Sequence, residues 1–217
     1  MEYSYKMSQR NQISDVILSM GVDFGCSTTP ERIQLAREFF QEYGVDGNLT
    51  IDRSVYVRSS IPNSIPNVEI TFSTVKKIDI KHLFEKMDLG GKTKTNNTCS
   101  TYMRFKFVNK RRAIAVFSSQ GAWTEFRNAY IEFARTRSDP AKYMRRLKGR
   151  YCKFPAVRPA MRLKGVSGRY YAINVQPLLE RQNTLEIRIM PGFDNVKEAM
   201  EAVNFEIKTL SRIYKKS

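Results

Sequence analysis

The chain has 217 residues, of which 41% are hydrophobic, so its composition excludes a disordered protein and one that needs a metal or disulfides to fold. Its 37 Lys and Arg residues outnumber its 21 Asp and Glu residues, which gives a formal net charge of +16 at pH 7. Because such an excess destabilises the folded chain by self-repulsion, we expect an anionic partner. Nucleic acid is the commonest one, ahead of an anionic membrane surface or a ribosome-like assembly.

In the first third of the chain, the spacing of apolar residues from Ile13 to Met20 predicts a short helix that Gly21 ends. A firmer helix is predicted over Pro30–Tyr43, because Thr29 is a good N-cap and proline suits the first helical position.

Alternating apolar and polar residues then predict two strands, over 49–58 and 68–75, with a loop between them marked by Pro62 and Pro66. A short helix is predicted over 79–87.

The middle of the chain is predicted to hold a hairpin, with strands over 99–108 and 113–117 around a turn at 109–112. Two helices follow, over 122–135 and 140–147.

The last part begins with a segment over 149–168 that has prolines, glycines and no periodicity, so we predict a loop. Strands are predicted over 170–175 and 185–190, followed by a long helix over 195–214 with Asp194 as its cap.

This order of elements predicts the α+β class, with an antiparallel or mixed sheet, helices packed on it and a long C-terminal helix. We expect a single structural domain. Residues 1–44 would form a helical N-terminal segment packed on a main α+β domain over 45–217.

The number of cysteines and the composition of the first residues indicate a cellular compartment. Cys26, Cys99 and Cys152 lie far apart and are odd in number, which argues against a disulfide framework. The first residues contain no basic segment leading into an apolar run, and no apolar stretch approaches the length of a membrane span. We expect a reduced, soluble, cytoplasmic protein with no membrane partner, in the host cytoplasm if the chain is viral.

Positive charge is concentrated in two stretches that contain no Asp or Glu, residues 89–124 and 140–179. An ordinary surface intersperses both signs, so such stretches are typical of a surface that faces phosphates. Aromatic residues lie between the cations, as in proteins that stack the unpaired bases of a single strand, although these rings equally fit a core. The segment 149–168 would suit an arm that orders on its ligand.

The predicted nucleic-acid contacts are the cations of both stretches with four tyrosines as stacking rings, and convergence of 92–112 and 140–169 on one groove would support this interpretation most. These contacts are Lys92, Lys94, Tyr102, Arg104, Lys106, Lys110, Arg111, Arg112, Tyr143, Arg145, Arg146, Lys148, Arg150, Tyr151, Lys153, Arg158, Arg162, Lys164, Arg169 and Tyr170. Double-stranded DNA stays an alternative ligand, although no helix-turn-helix or zinc-finger spacing is present.

Two features suggest an enzyme, but each lacks residues that the corresponding site requires. Gly91, Lys92 and Thr93 resemble the end of a phosphate-binding loop, but Lys86 stands where that motif needs its first glycine. His82 is the only histidine and cannot form a zinc site alone. We therefore predict no catalytic residue, no metal site and no cofactor.

Residues 169–174 read Arg-Tyr-Tyr-Ala-Ile-Asn, and residues 184–189 read Thr-Leu-Glu-Ile-Arg-Ile. They resemble the closing motifs Arg-Tyr-x-Ala-Leu-Asn and Thr-x-Glu-x-Arg of the amidoligase family, whose fold relates to those of glutamine synthetase and the ATP-grasp-like carboxylate–amine ligases. The earlier motifs of that family are matched, in the same order, by segments 46–59, 99–104 and 146–152.

Three positions depart from the amidoligase pattern. Tyr56 stands in place of a strand glutamate, and Tyr102 and Arg104 stand in place of two histidines. Because magnesium beside phosphates needs anionic or imidazole ligands, the departures imply a relic fold whose cleft has changed from metal binding to anion binding. Glu186 and Arg188 are kept, and they equally fit a structural ion pair on a strand.

In size, in its basic 140–179 stretch and in the lack of an oligonucleotide-binding barrel pattern, the chain also resembles certain proteins of lytic bacterial viruses. These are single-stranded-DNA-binding cofactors of the viral RNA polymerase. The resemblance implies a protein that holds melted DNA and recruits a polymerase.

We therefore expect a non-enzymatic, largely sequence-independent single-stranded-DNA-binding protein that acts in viral transcription or replication. RNA is a possible ligand, an RNA polymerase the expected protein partner and a homo-oligomer possible. The alternatives are a divergent amidoligase-like ATP-dependent ligase with an acidic substrate, and an RNA-binding or structural basic protein such as a packaging component.

Overall fold

The computed structural model describes residues 13–53, 56–95, 101–149, 152, 154 and 171–217. It confirms the α+β class and the long C-terminal helix. The strands are β1 (Ile17–Thr28), β2 (Asp46–Ile51), β3 (Ile65–Thr74), β4 (Lys94–Thr95), β5 (Tyr102–Phe107), β6 (Ile173–Asn174) and β7 (Leu185–Ile187). The helices are α1 (Pro30–Tyr43), α2 (Lys77–Lys86), α3 (Lys110–Phe117), α4 (Gln120–Arg135), α5 (Pro140–Arg146), α6 (Gln176–Leu179) and α7 (Val196–Lys216).

The seven strands form one sheet, in which six of them follow the order β2-β3-β1-β5-β7-β6 with antiparallel pairing between neighbours. The short strand β4 pairs with β1 at Cys26 and Ser27, beyond the end of β5. Strand β1 thus lies at the centre of the sheet, because it pairs with three other strands.

Alternate residues of a strand point to opposite faces of the sheet, and here one face is apolar. In β1 this core face carries Met20, Val22, Phe24 and Cys26, all almost fully buried. The helices supply the other half of the core, with the α7 residues Ala199, Ala202, Val203, Leu210 and Ile213 buried along one side. Among the described residues, no helix is long and apolar enough to cross a membrane.

The predicted helix over residues 13–20 is wrong, because Ile17–Met20 belongs to β1. The apolar residues of this segment fit a helical spacing locally, but the period-2 alternation continues to Cys26 and puts them in a strand. Residues 1–44 therefore contribute the central strand of the sheet as well as α1, and they are not a purely helical segment.

The predicted strand over 113–117 and its hairpin are also wrong, because this segment is α3. Asn109, which the predicted hairpin places in its turn, is the N-cap of α3: its Oδ1 accepts a hydrogen bond from the Arg112 backbone N–H at 3.0 Å. A turn and a helix start favour the same residue type, so asparagine alone does not distinguish them.

Smaller corrections concern element ends. The predicted strand over 49–58 ends at Ile51, and Pro66 lies inside β3 rather than in a loop. Proline fits there because the partner strand β1 changes register between Cys26 and Thr28, opposite this end of β3. The cap of α7 is Asn195, whose Oδ1 accepts from the Glu198 N–H at 2.9 Å, and not Asp194.

Candidate functional site

The face of the sheet opposite the core is polar, and we call it the polar face. The strand register places the side chains of neighbouring strands side by side there: Asp23 lies opposite Tyr102, and Arg104 opposite Glu186. The polar face comprises Asp46, Asn48 and Thr50 of β2, Glu69, Thr71 and Ser73 of β3, Gly21 and Asp23 of β1, Tyr102, Arg104 and Lys106 of β5, Glu186 of β7 and Asn174 of β6.

Four charged side chains form an ion-pair network across the polar face: Asp23, Arg104, Glu186 and Arg188. The Arg104 guanidinium lies 3.1 Å from Asp23 Oδ2 and 3.4 Å from Glu186 Oε2. Arg188 Nη1 lies 2.5 Å from Glu186 Oε1, and its guanidinium stacks 3.8 Å from the Tyr102 ring centre. The two residues predicted in place of catalytic histidines, Tyr102 and Arg104, thus take part in internal contacts.

Asp23 has an unusual proton affinity for a carboxyl group. Its side chain is buried, and burial raises the pKa of Asp23 to about 7. The nearby carboxylates of Glu69 and Glu186 also raise it, while Arg104 lowers it. Asp23 therefore changes its charge near neutral pH.

A small open pocket of about 180 Å³ lies on the polar face where β1, β2 and β3 run side by side. This volume holds about six water molecules, less than the space a drug-sized ligand occupies. A Cβ at Gly21 would lie 3.3 Å from Ser73 Oγ and 3.5 Å from Arg104 Cβ, so glycine keeps this space open. The polar lining residues are Asp23, Asp46, Asn48, Thr71, Ser73 and Arg104.

At one end of the sheet, cations collect around the C-terminus of α7. Arg112 donates to the Lys215 backbone oxygen and lies over the Tyr214 ring, and Lys110 donates to Asn183 and to the Glu180 backbone oxygen. We call this surface the basic end, and it comprises Lys106, Lys110, Arg111, Arg112, Arg181, Arg212, Lys215 and Lys216.

The basic end carries more positive charge than its acids neutralise. Lys215 pairs with Asp15 at 2.7 Å, while Arg212 and Lys216 share Glu125 at 3.2 Å. With Glu180, three acids face eight cations, which leaves a local charge of +5 (8 − 3).

Four further predicted cations, Lys92, Lys94, Arg145 and Lys148, lie at the opposite end of α7. Lys94 donates to the Gly90 backbone oxygen, next to Asp194, and Lys92 pairs with Glu31 at 3.2 Å. Arg145 and Lys148 belong to or follow α5, which the buried Lys142 ties to Asp194 and Glu198 at 2.7 and 3.0 Å.

A helix of 21 residues is about 30 Å long, so the two groups of cations are widely separated. The described members of the two stretches therefore do not converge on one groove.

Two predicted contacts are structural instead. Tyr143 is fully buried, packs against Phe133 and donates to Glu198 Oε1 at 2.7 Å, so its ring is not open to a base. Arg146 is buried and donates to the backbone oxygens of Arg188 and Ile189 at 3.0 and 3.2 Å. Side-chain type alone did not reveal this, because a buried arginine holding carbonyls has the same sequence signal as an exposed one.

The remaining predicted contacts fall outside the described residues, as does most of the predicted loop over 149–168. They are Arg150, Tyr151, Lys153, Arg158, Arg162, Lys164, Arg169 and Tyr170. Cys152 Sγ donates to the Arg188 backbone oxygen at 3.2 Å, and the Arg188 N–H donates to the Ala172 oxygen at 2.8 Å.

Sequence reasoning missed the acids and amides of the polar face: Asp23, Asp46, Asn48 and Glu69. The available signal was the alternation around Asp23, where small or polar residues alternate with Val22 and Phe24. Reading that period would have predicted β1 and placed Asp23 on its polar side.

The amidoligase resemblance implies magnesium and ATP. Within the part of the chain that the structure describes, no group of three or more His, Cys, Asp or Glu side chains is placed to hold a metal ion. The described donor set does not fit magnesium, and we derive no step through it. Comparison with protein-family models, curated proteins and solved structures found no match.

Proposed function

We propose that the protein binds single-stranded nucleic acid, with DNA as the expected ligand, and performs no chemistry on it. The observation that carries the proposal is the basic end, where eight cations around the C-terminus of α7 outnumber the three acids near them. Phosphates are the anions that such a surface suits, because each contact releases condensed counterions.

The surroundings of the basic end favour a single strand over a duplex. Lys106 belongs both to the basic end and to the polar face, so a strand bound at the basic end lies beside exposed Asn48, Ser73 and Asp46 side chains on the same sheet. An unpaired strand can turn its Watson–Crick base edges toward such polar groups, whereas a duplex hides those edges in its base pairs.

The resemblance to the polymerase cofactors of lytic bacterial viruses extends this proposal. In that role the protein would hold melted DNA in transcription or replication and recruit an RNA polymerase. The support is the overall size and charge of the chain, and the test is copurification with a polymerase from infected cells.

Fluorescence anisotropy with a labelled single strand, its matched duplex and the same sequence in RNA tests the proposal. If about five phosphates are neutralised, single-strand affinity should fall about 100-fold between 50 and 200 mM salt. Equal affinity for single strand and duplex would defeat the single-strand claim, and tighter binding of RNA would reassign the ligand.

A double charge reversal locates the binding surface. Lys106→Glu with Arg111→Glu should abolish most binding, because both side chains are exposed in the basic end and neither pairs with a described acid. The matched control, Arg37→Glu with Lys197→Glu, changes the net charge equally at positions on α1 and at the opposite end of α7. Equal loss in both variants would mean that only the net charge matters.

A second candidate is the divergent ligase, which one observation favours: the carboxylates of Asp23, Glu69 and Glu186 meet two arginines on one sheet face. Magnesium-dependent ATP hydrolysis that disappears in Glu186→Gln would establish it and overturn the non-enzymatic proposal.

A further inference from the structure

We infer that the pocket on the polar face receives a guanine base. The inference rests on the proposed function, since it names the base that a bound strand would present there. It starts from the shape of the pocket: about 180 Å³ is room for one base and too little for a drug-sized ligand.

The rim of the pocket offers side chains whose hydrogen-bonding groups are available to a ligand. Asp46 and Asn48 are exposed on the edge strand β2, and neither side chain has a hydrogen-bond partner within the described ranges. Ser73 and Thr71 stand behind them on β3. The pocket therefore presents a carboxylate acceptor, an amide and two hydroxyls.

The opposite wall of the pocket is formed by Arg104, a hydrogen-bond donor that neighbouring acids hold in place. Arg104 Nη2 donates to Asp23 Oδ2 at 3.1 Å, and its guanidinium lies 3.4 Å from Glu186 Oε2, while its side chain is still 37% exposed. An arginine held this way keeps further N–H groups for an acceptor. The Asp46 carboxylate thus stands on one side of the pocket, and the guanidinium of Arg104, paired with Asp23, stands on the other.

Guanine matches this arrangement better than the other bases. Its N1–H and N2 amino groups are adjacent donors that one carboxylate accepts together, and its O6 and N7 are adjacent acceptors suited to arginine or to an amide. Thymine offers a single N–H, and adenine and cytosine each offer one amino group beside an acceptor. We therefore assign Asp46 to the N1 and N2 groups, and Arg104 and Asn48 to O6 and N7.

The pocket adjoins the surface that would hold the phosphates. Arg104 and Lys106 are two residues apart on β5 and point to the same face, so they are separated by about 7 Å. Beyond Lys106 the chain leads directly into Lys110, Arg111 and Arg112 of the basic end. A strand whose phosphates follow these cations brings one base beside Arg104.

The test compares a labelled strand of eleven thymidines with the same strand carrying one central guanosine. The guanosine strand should bind about tenfold more tightly, the discrimination expected of a well-placed set of base contacts. Replacing the guanosine by inosine, which lacks the N2 amino group, should remove much of this preference.

Variants on one edge strand provide matched controls. Asn48→Ala and Asp46→Asn should each reduce the ratio of the two affinities, that of the guanosine strand over that of the thymidine strand. Thr50→Ala, on the same face of β2 but outside the pocket, should leave the preference intact. Circular dichroism of each variant confirms folding.

The guanine could belong to a strand or to a free nucleotide, and calorimetry with guanosine and cytidine monophosphates separates the two sources. Guanosine monophosphate binding that Asn48→Ala weakens, without any preference among strands, would assign the pocket to the free nucleotide. No discrimination by strands or by mononucleotides would overturn the inference. If no strand binds at all, the proposed function fails, and the mononucleotide arm still decides whether the pocket takes guanine.

Discussion

The basic end and the ion-pair network each contain an arginine that the sequence predicted as a phosphate contact, Arg111 and Arg104, but the two side chains differ in their contacts. In the basic end, Arg111 is exposed and has no acidic partner among the residues that the structure describes. In the network, Arg104 of β5 is held by Asp23 of β1 and Glu186 of β7, which lie on the two neighbouring strands. The comparison teaches that the register of a sheet, and not the local charge, decides which cations are available to a ligand.

The largest expected effect concerns the buried carboxylate that both network arginines share. Glu186→Gln should lower the free energy of unfolding by about 3 kcal/mol, because it leaves Arg188 largely buried without its counter-charge. Glu132→Gln, which removes an exposed pair with Arg135, should change it by less than about 0.5 kcal/mol. Urea denaturation of both variants measures the difference, and equal small effects would show that the network adds no stability.

A second comparison separates a structural tyrosine from one on the polar face. Tyr143→Phe should lower the free energy of unfolding by about 2 kcal/mol, since it removes a hydrogen bond to the Glu198 carboxylate. Tyr102→Phe keeps the ring under Arg188 and should change stability by less than about 0.5 kcal/mol. A larger cost for Tyr102→Phe than for Tyr143→Phe would reverse our assignment.

The pH dependence of stability provides a third test. Asp23 binds its proton more tightly in the folded state, where its pKa is about 7, than in the unfolded chain at 3.8. The free energy of unfolding should therefore fall as pH rises from about 4 to 7, and Asp23→Asn should flatten that fall. The buried Glu206, whose pKa burial also raises, acts in the same direction, so Glu206→Gln identifies its share. A decline that Asp23→Asn leaves unchanged would contradict the assignment.

The smallest expected effect on stability belongs to the basic end. Arg111→Ala should change the free energy of unfolding by less than about 0.5 kcal/mol, because the side chain is exposed. It should nevertheless reduce the salt dependence of single-strand binding by about one phosphate contact. Denaturation and anisotropy on the same preparation measure both, and a loss of stability with unchanged binding would remove Arg111 from the surface.

Much of the fold could be predicted because its helices carry local signals. The ends of α1 follow from Pro30 at its start and from Gly44, which adopts the left-handed conformation after its end. Local signals were misleading where one residue type favours two structures, as Asn109 favours both a turn and the start of a helix. The same holds before Gly21, where the apolar spacing fits a helix as well as a strand.

The candidate site was less accessible to sequence reasoning, because its contacts join residues far apart in the chain. Asp23 meets Arg104 across 81 positions, and only the pairing of β1 with β5 brings them together. The charge excess was readable from composition, whereas the separation of the cations along α7 depends on how that helix lies on the sheet. The burial of Tyr143 and Arg146 could not be predicted from the sequence, because burial depends on how the helices and strands pack together.

The backbone of Arg188 has a further consequence. Its carbonyl accepts hydrogen bonds from Cys152 and Arg146, and its N–H donates to the Ala172 oxygen, so Cys152 and Ala172 are both hydrogen-bonded to one residue. The side chain of Arg188 holds Glu186. One residue therefore connects two positions 20 residues apart in the chain to the ion-pair network of the polar face.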